Sequence, residues 1–272
     1  MKPSNIFLIA SVLSLCGVLL SATVRGGESG LNIYQAVLIE PEQKTQNIST
    51  EEMQQILAEG SAKVFDSRRA EEYTFAHLPG VLNARTVPVI ESILQGKKDA
   101  SIVLYCNGKY CGQSRRLANK LLAAGYTDIR RYQLGLPVWR ALGGVTEIES
   151  DGIRYFAEMD KTAVLLDARE PDEFNAGSLP DARNLPSSGV KLDATVSAEG
   201  GRTGGGEELK KAKKDGRLPI SDRNTRVIVF GKDGAQARLV AEAVITQAFH
   251  NTAYFNGTFE NLKAEFDKTT WE

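Results

Sequence analysis

The chain contains little cysteine and little histidine, and this limits the disulfides, metal sites and catalytic groups that it can form. Three cysteines in 272 residues cannot build a framework of disulfides, so the fold must be stabilised by buried cores. The two histidines, His77 and His250, lie far apart, and with so few thiols they form no recognisable set of metal ligands. The same shortage makes a hydrolase built on a cysteine and a histidine a poor candidate.

Neither sign of charge is in excess, since 33 Lys and Arg residues face 34 Asp and Glu residues. A balanced charge gives no reason to expect nucleic acid or an anionic membrane surface as a partner. The short Lys/Arg-rich patch at 209–217 is typical of a solvated helix face. The run Gly204-Gly205-Gly206 lacks the preceding strand and following Lys-Ser/Thr of a phosphate-binding loop. We expect no cofactor and no metal.

Long apolar runs are scarce too, and the clearest one, residues 6–20, lies close to the N-terminus. It is shorter than the ~20 residues that a spanning helix needs, and it follows an early cation and precedes small residues. This order is typical of a secretory signal peptide. We therefore expect a signal peptide at 1–22, an N-terminal extension at 23–45, and a periplasmic or otherwise exported protein. The alternative is an uncleaved N-terminal anchor.

The chain repeats itself. The pattern Asp-x-Arg-x-x-x-Glu followed by an aromatic residue occurs within 64–73 and again, 101 positions later, within 165–174. Segments 76–80 and 177–181 match at the same spacing, which indicates a tandem duplication. With 42% apolar and 25% charged residues, the composition is that of a soluble globular protein, and the length allows two domains.

We place the two domains at 46–146 and 147–272. The second copy carries about 24 extra residues, mainly within 190–222. Their Gly- and Lys-rich content predicts a mobile loop with one short helix, which is a possible cover for a cleft.

Each copy alternates strands with helices, which predicts an α/β fold with a parallel sheet covered on both faces. In the first copy, Ser49 and Glu52 predict the start of a helix and Gly60 its end. Cys106 follows the apolar strand 101–105 and precedes a helix predicted over 113–124. Ligands of such sheets lie beyond the carboxyl ends of the strands. Loop amides and the positive helix end would favour a thiolate at this position.

These motifs, in this order and present twice, resemble the rhodanese superfamily of sulfurtransferases over roughly residues 46 to 272. The resemblance implies two rhodanese-like domains, each a parallel sheet with helices on both faces. It further implies that Cys106 takes sulfane sulfur from a donor such as thiosulfate, becomes a persulfide, and passes the sulfur to cyanide or a thiol. A small sulfur-containing anion and a thiol acceptor are the expected partners. The candidate substrate-binding residues follow Cys106 in the loop and the helix start: Asn107, Gly108, Lys109, Tyr110, Cys111, Gly112, Gln113 and Arg115.

The second copy has Gly231 where the nucleophile is expected, so we expect it to be catalytically silent. The alternative is that residues 232–237 retain a nest of backbone amides that binds an anion. The resemblance assigns Asp66 and Arg68 to the scaffold, along with His77. For Lys109 and Arg115, solvated charges are the alternative to a role at the site.

Cys111 is either an inert loop residue or a second thiol that resolves an adduct on Cys106. A disulfide between the two requires their Cα atoms to lie within about 7 Å. Two further functions therefore stay open: a thiol-disulfide or oxyanion reductase using Cys106 with Cys111, and a non-catalytic rhodanese-like binding protein.

Overall fold

The computed structural model describes residues 40, 43–196 and 202–268, with only the backbone of 194–196 and 202. The expected signal peptide, and all of the extension except residues 40 and 43–45, lie outside the described residues, and export stays a prediction. In the part of the chain that is described, no helix is long and apolar enough to cross a bilayer.

The first copy forms a five-stranded sheet whose paired strands all run parallel, in the order β1-β5-β4-β2-β3. Its elements, in chain order, are β1 (Gln46–Asn47), α1 (Thr50–Glu59), β2 (Lys63–Asp66), α2 (Ala70–Phe75), β3 (Leu82–Asn83), α3 (Val87–Leu94), β4 (Ile102–Tyr105), α4 (Gln113–Ala123), β5 (Ile129–Tyr132) and α5 (Gly135–Ala141).

The second copy forms a sheet of the same kind, in the order β6-β12-β11-β7-β8, again with parallel pairs throughout. Its elements are β6 (Thr146–Glu147), α6 (Ser150–Arg154) continuing into a π-helical segment (Tyr155–Asp160), β7 (Val164–Asp167), α7 (Pro171–Asn175), β8 (Arg183–Asn184), a 3-10 turn (Ser187–Gly189), β9 (Lys191–Val196), β10 (Arg202–Gly205), α8 (Glu207–Lys214), β11 (Val227–Phe230), α9 (Gly234–Ile245), β12 (Thr252–Tyr254) and α10 (Phe259–Phe266).

Strand by strand, the two sheet orders correspond, which confirms the duplication and the predicted fold class. Both faces of the first sheet are buried. In β4, Val103 belongs to one apolar cluster with Met53, whereas Ile102 and Leu104 belong to another with Leu117. Alternate residues of one strand therefore enter two different cores, as expected for a sheet with helices on both sides.

The helix start predicted from Ser49 and Glu52 and the helix end predicted at Gly60 are both confirmed in α1. The Ser49 hydroxyl accepts a hydrogen bond from the Glu52 amide at 3.1 Å. Gly60 adopts a left-handed conformation with φ of 63° and donates its N–H to the Ile56 carbonyl oxygen. A glycine ends the helix here because residues with a Cβ adopt this conformation at a cost.

The two copies contact each other through the loop that follows α2. His77 and Glu147 exchange two backbone hydrogen bonds of 2.9 and 2.8 Å, which form an antiparallel bridge between that loop and β6. Beside the bridge, the Phe75 ring lies 5.2 Å from the ring of Phe156, centroid to centroid. Since backbone pairing and apolar packing both join the copies, the second copy supports the loop between α2 and β3 of the first.

The insertion at 190–222 differs from the prediction. The one short helix is present as α8, but it is preceded by an antiparallel hairpin of β9 and β10. Leu209 and Ala212 of α8 are buried in the core of the second copy, so the Lys-rich run is only the outer face of a packed helix. A side chain at Gly204 would meet the Ala243 Cα at 3.1 Å. The glycine therefore permits close packing against α9, which a loop interpretation of Gly-rich sequence misses.

Candidate active site

Cys106 directly follows β4, the central strand of the first sheet, and only 3% of its surface is exposed. It lines a small cavity of about 150 Å³ at the carboxyl edge of that sheet. The other lining residues follow β2 (Ser67, Arg68, Arg69, Glu72), follow β3 (Arg85), or belong to the loop and the start of α4 (Asn107, Cys111, Gln113). The site lies where a parallel sheet places its ligands.

Cys106 and Cys111 are joined by a disulfide, with Cα atoms 6.1 Å apart. The distance meets the geometric condition stated for this pair. The Cys111 amide donates to the Gly108 carbonyl oxygen at 3.0 Å, and Gly108 has φ of 95°. This turn brings Cys111 back towards Cys106. Because the two sulfurs are bonded, the structure shows the oxidised state of the pair.

Gly135, at the start of α5, provides the space that the loop occupies. A Cβ at this position would overlap the Cys106 carbonyl oxygen and the Gly108 nitrogen. The Leu136 amide donates to the same Cys106 carbonyl at 3.2 Å. The sequence alone does not reveal this close contact.

Several main-chain donors of the loop have no partner, although only one of their residues, Asn107, lines the cavity. Among the described residues, no protein acceptor is found for the amides of Asn107, Gly108, Lys109 and Tyr110. The helix α4 begins at Gln113, so its positive end lies at the same loop. Loop amides and a helix start together favour an anion here.

A buried ion pair between Asp66 and Arg68 stabilises the start of the loop that contains Cys106. The Asp66 carboxylate is fully buried and accepts hydrogen bonds from Arg68 Nε at 3.0 Å and from the Tyr105 hydroxyl at 2.6 Å. Burial alone would lower the pKa of Arg68, but the hydrogen bonds and charge of Asp66 outweigh it and raise that pKa. Burial, followed by the charge of Asp66, holds the pKa of Tyr105 well above its usual range. The pair is structural, as the resemblance implied.

Arg68 also reaches the loop itself. Its Nη1 donates to Asn107 Oδ1 at 3.2 Å, while Asn107 Nδ2 donates to Glu72 Oε1 at 2.6 Å. Asn107 is therefore held from both sides, directly after the candidate nucleophile. Glu72 belongs to the shared motif, but the sequence does not indicate this contact.

The structure separates the predicted binding residues into two groups. Asn107, Cys111 and Gln113 line the cavity together with Cys106. The cavity lining does not include Gly108, Lys109, Tyr110, Gly112 or Arg115. Tyr110 is 94% exposed at the loop surface, and Gly112 is the N-cap residue of α4. A role for this second group in binding stays a prediction.

Two arginines at the cavity, Arg69 and Arg85, are missing from the predicted set. Both are exposed, and they follow different strands. A comparison of the copies contains the signal, because their counterparts 101 positions later are Glu170 and Pro186. The first copy thus has cations where the second has a carboxylate and an apolar ring.

The corresponding loop of the second copy is filled by its own side chains. Gln236 Oε1 accepts from the Lys232 amide at 2.9 Å, and its Nε2 donates to Ser187 Oγ at 3.0 Å. Asp233 caps the following helix by accepting from the Gln236 amide at 2.8 Å. The amides of Lys232 and Gln236 therefore have partners, whereas no acceptor is found among the described residues for the amides of 233–235, and the anion-binding nest considered for 232–237 stays a prediction.

His77 lies outside the cavity and is buried at the contact between the copies. Its Nε2 is 3.3 Å from Glu147 Oε2, and its Nδ1 is 2.9 Å from the Tyr73 carbonyl oxygen. Burial would raise the pKa of Glu147, but hydrogen bonds from His77 and Tyr254 outweigh it and lower that pKa. His77 therefore belongs to the scaffold. Within the described ranges, no group of three His, Cys, Asp or Glu residues is arranged to hold a metal ion.

Comparison with known proteins places this geometry in a family. The model of the rhodanese-like domain matches residues 49–142 and again residues 155–265. Thiosulfate:glutathione sulfurtransferase from Homo sapiens is 33% identical over 110 residues, which cover 34% of this chain and 90% of the human protein.

An HTH-type transcriptional regulator from Mycobacterium tuberculosis is 30% identical over 84 residues, covering 31% of this chain and only 37% of the regulator. The crystal structure of a 3-mercaptopyruvate sulfotransferase from Escherichia coli is 15% identical, with 79% of this chain and 98% of that chain covered and a TM-score of 0.33. The two family matches along the chain show that the protein belongs to the rhodanese-like family and carries two consecutive rhodanese-like domains.

Proposed function

We propose that the protein is a sulfurtransferase in which reduced Cys106 carries sulfur as a persulfide between an anionic donor, such as thiosulfate, and a thiol or cyanide. One observation supports this most: a cysteine at the carboxyl edge of the sheet shares a small cavity with Arg68, Arg69 and Arg85. Membership of the family and the sulfurtransferase among its relatives support sulfur transfer as the general chemistry.

The chemistry needs little beyond an ionised sulfur and donors for anions. The Cys106 thiolate attacks the outer sulfur of thiosulfate, the S–S bond of the donor breaks, and sulfite leaves with the electron pair. An acceptor thiolate then attacks the outer sulfur of the persulfide and returns Cys106 as a thiolate. Donor and leaving group are both anions, so the arginines that line the cavity would stabilise the charge as it moves.

The exposed arginines are suited to a mobile anion. Arg69 makes only a long contact of 3.7 Å with Glu72, and Arg85 forms no ion pair with any described residue. Because neither guanidinium is committed to a buried partner, both remain available to a dianion entering the cavity. Arg68, in contrast, is already bound to Asp66, so its main role would be to hold neighbouring groups in place rather than to bind the anion.

The disulfide favours a second candidate, a thiol-disulfide or oxyanion reductase that uses Cys106 with Cys111. An oxyanion would occupy the same cationic cavity. The two functions differ in the adduct that forms on Cys106, which is a persulfide only in the first.

The direct test is sulfur loading. The full chain is reduced, separated from the reductant and incubated with thiosulfate, and its peptides are then analysed by mass spectrometry in the presence of an alkylating agent. We expect Cys106 to take up one sulfur atom, seen as a mass gain on its peptide in Cys111→Ser and, in the parent, as that gain or as the hydrosulfide released from it. Absence of both an adduct and released hydrosulfide, with thiosulfate and with other sulfane donors, would contradict the proposal.

Charge reversal at the cavity gives a further prediction. Arg69→Glu reproduces the carboxylate of the second copy, and we expect it to lower kcat/KM for thiosulfate roughly tenfold, mainly through KM. Arg85→Glu should have a similar effect. The measurement is steady-state transfer at several salt concentrations, with a smaller salt dependence in both variants.

The matched control is Lys263→Glu, which changes the net charge equally on the exposed surface of the second copy. It should leave kcat/KM within about twofold of the parent value. If all three variants lose activity to the same degree, net charge rather than the cavity determines donor binding.

A further inference from the structure

The disulfide joins the candidate nucleophile to a residue only five positions away, and both cysteines line the same cavity. A cross-link of this kind is explained either as a structural brace or as one state of a reacting pair.

The brace explanation is weak here. A disulfide stabilises a fold mainly by restricting the unfolded chain, and the effect is smallest for short closed loops. The second copy provides an internal comparison, because β11 is joined to α9 by the shorter loop 231–233, which has no cysteine, whereas β4 is joined to α4 by the loop 106–112. A strand, loop and helix in this order therefore do not need a cross-link, and the bond occupies the sulfur that the proposed function uses.

We propose that Cys111 resolves the Cys106 persulfide and releases the carried sulfur as hydrosulfide, an inference that rests on the proposed function. The Cys111 thiolate attacks Sγ of Cys106, the bond between Sγ and the outer sulfur breaks, and hydrosulfide leaves with the electron pair. The outer sulfur is reduced by two electrons and the two cysteines are oxidised to the disulfide. An external dithiol then reduces the disulfide and restores both thiols.

The geometry meets the requirements of this step. The Cα separation of 6.1 Å lets Cys111 reach the inner sulfur, which is the atom that it contacts in the disulfide. The turn from Gly108 to Cys111 keeps both cysteines on one side of the loop, at the cavity. Departing hydrosulfide is an anion, and Arg69 and Arg85 line the cavity in which it would form.

A consequence is that the loop offers the persulfide two outcomes. An acceptor thiol that attacks the outer sulfur receives it as a persulfide, whereas attack by Cys111 on the inner sulfur yields hydrosulfide and an oxidised, inactive loop. Cys111 would thus determine how long a persulfide persists in the absence of an acceptor, and supply of dithiol would determine how quickly the protein accepts sulfur again.

The test is a single turnover with the full chain, fully reduced and then freed of reductant. Thiosulfate is added, hydrosulfide is trapped with an alkylating bimane, and the protein is analysed by mass. In the parent protein we expect one hydrosulfide per loaded chain and the Cys106–Cys111 disulfide as product, without any added thiol. Cys111→Ser should instead retain one sulfur on Cys106 and release hydrosulfide at least roughly tenfold more slowly.

Cys111→Ala serves as a second variant, and circular dichroism checks that both variants are folded. If the parent retains its persulfide as long as Cys111→Ser does, the resolving role is overturned while the sulfurtransferase proposal stands. Equal rates of hydrosulfide release from parent and variants overturn it as well. If neither the parent nor the variants take up sulfur, both proposals fail.

Discussion

Replacing Cys106 with serine should reduce sulfur transfer from thiosulfate by roughly a thousand-fold or more. A serine hydroxyl has nearly the same shape, but it does not ionise near neutral pH and does not form a persulfide-like carrier. The assay is transfer to cyanide or to a small thiol under reducing conditions, together with the mass of the protein after exposure to the donor. Since Cys106 is buried at the end of β4, the substitution changes one atom in an otherwise unchanged cavity.

The appropriate control is Cys111→Ser, which also removes the disulfide but keeps the nucleophile. It should take up one sulfur atom per chain, as the reduced parent does before it releases hydrosulfide. A Cys106→Ser protein that still gains sulfur, on Cys111, would show that the nucleophile has been assigned to the wrong cysteine.

Replacing Arg68 with methionine should lower the free energy of unfolding by about 3–5 kcal/mol, the cost of leaving a buried carboxylate without its partner. Asp66 is fully buried, and without the Arg68 side chain its carboxylate would keep, among the described residues, only the Tyr105 hydroxyl and the backbone amide of residue 68. Arg68 also donates to the Ala76 carbonyl oxygen, which would lose its guanidinium partner as well. Urea denaturation of the reduced protein measures the change.

The duplication provides a matched variant in Arg169→Met. Arg169 binds the buried Asp167 and the Gly177 carbonyl oxygen in the same arrangement, so a similar loss of stability is expected. Of the two arginines, only Arg68 contacts the loop that follows Cys106, through Asn107. Only its replacement should therefore also slow sulfur loading in protein that remains folded. If both variants slowed loading equally at temperatures where both are folded, Arg68 would have no particular role in positioning the loop.

Much of the architecture could be predicted because the same sequence motif occurs twice in the chain. Two copies of the same strand-turn-helix motif, at one spacing, are enough to predict two parallel sheets, and the strand orders agree. The insertion was predicted less well. Glycine content alone does not distinguish a loop from a strand packed closely on a helix, and Gly204 is of the second kind.

The site shows a similar division. Cys106 could be identified because a buried strand, a loop and a helix start are consecutive in the sequence. Arg69 and Arg85 could not, because strands that are separated in the chain bring them to the same edge of the sheet, and exposed arginines are common. The contact of Asn107 with Arg68 and Glu72 likewise depends on side-chain positions that spacing does not determine.

The side chain of Gln236, which occupies the loop of the second copy, has a consequence for redesign. A cysteine placed at Gly231 would find its neighbouring amide already bonded, and Glu170 bonded to Ser188, next to the Ser187 that holds Gln236. A working centre in the second copy would therefore require a new thiol, the removal of a carboxylate, added cations and the displacement of a glutamine, all together.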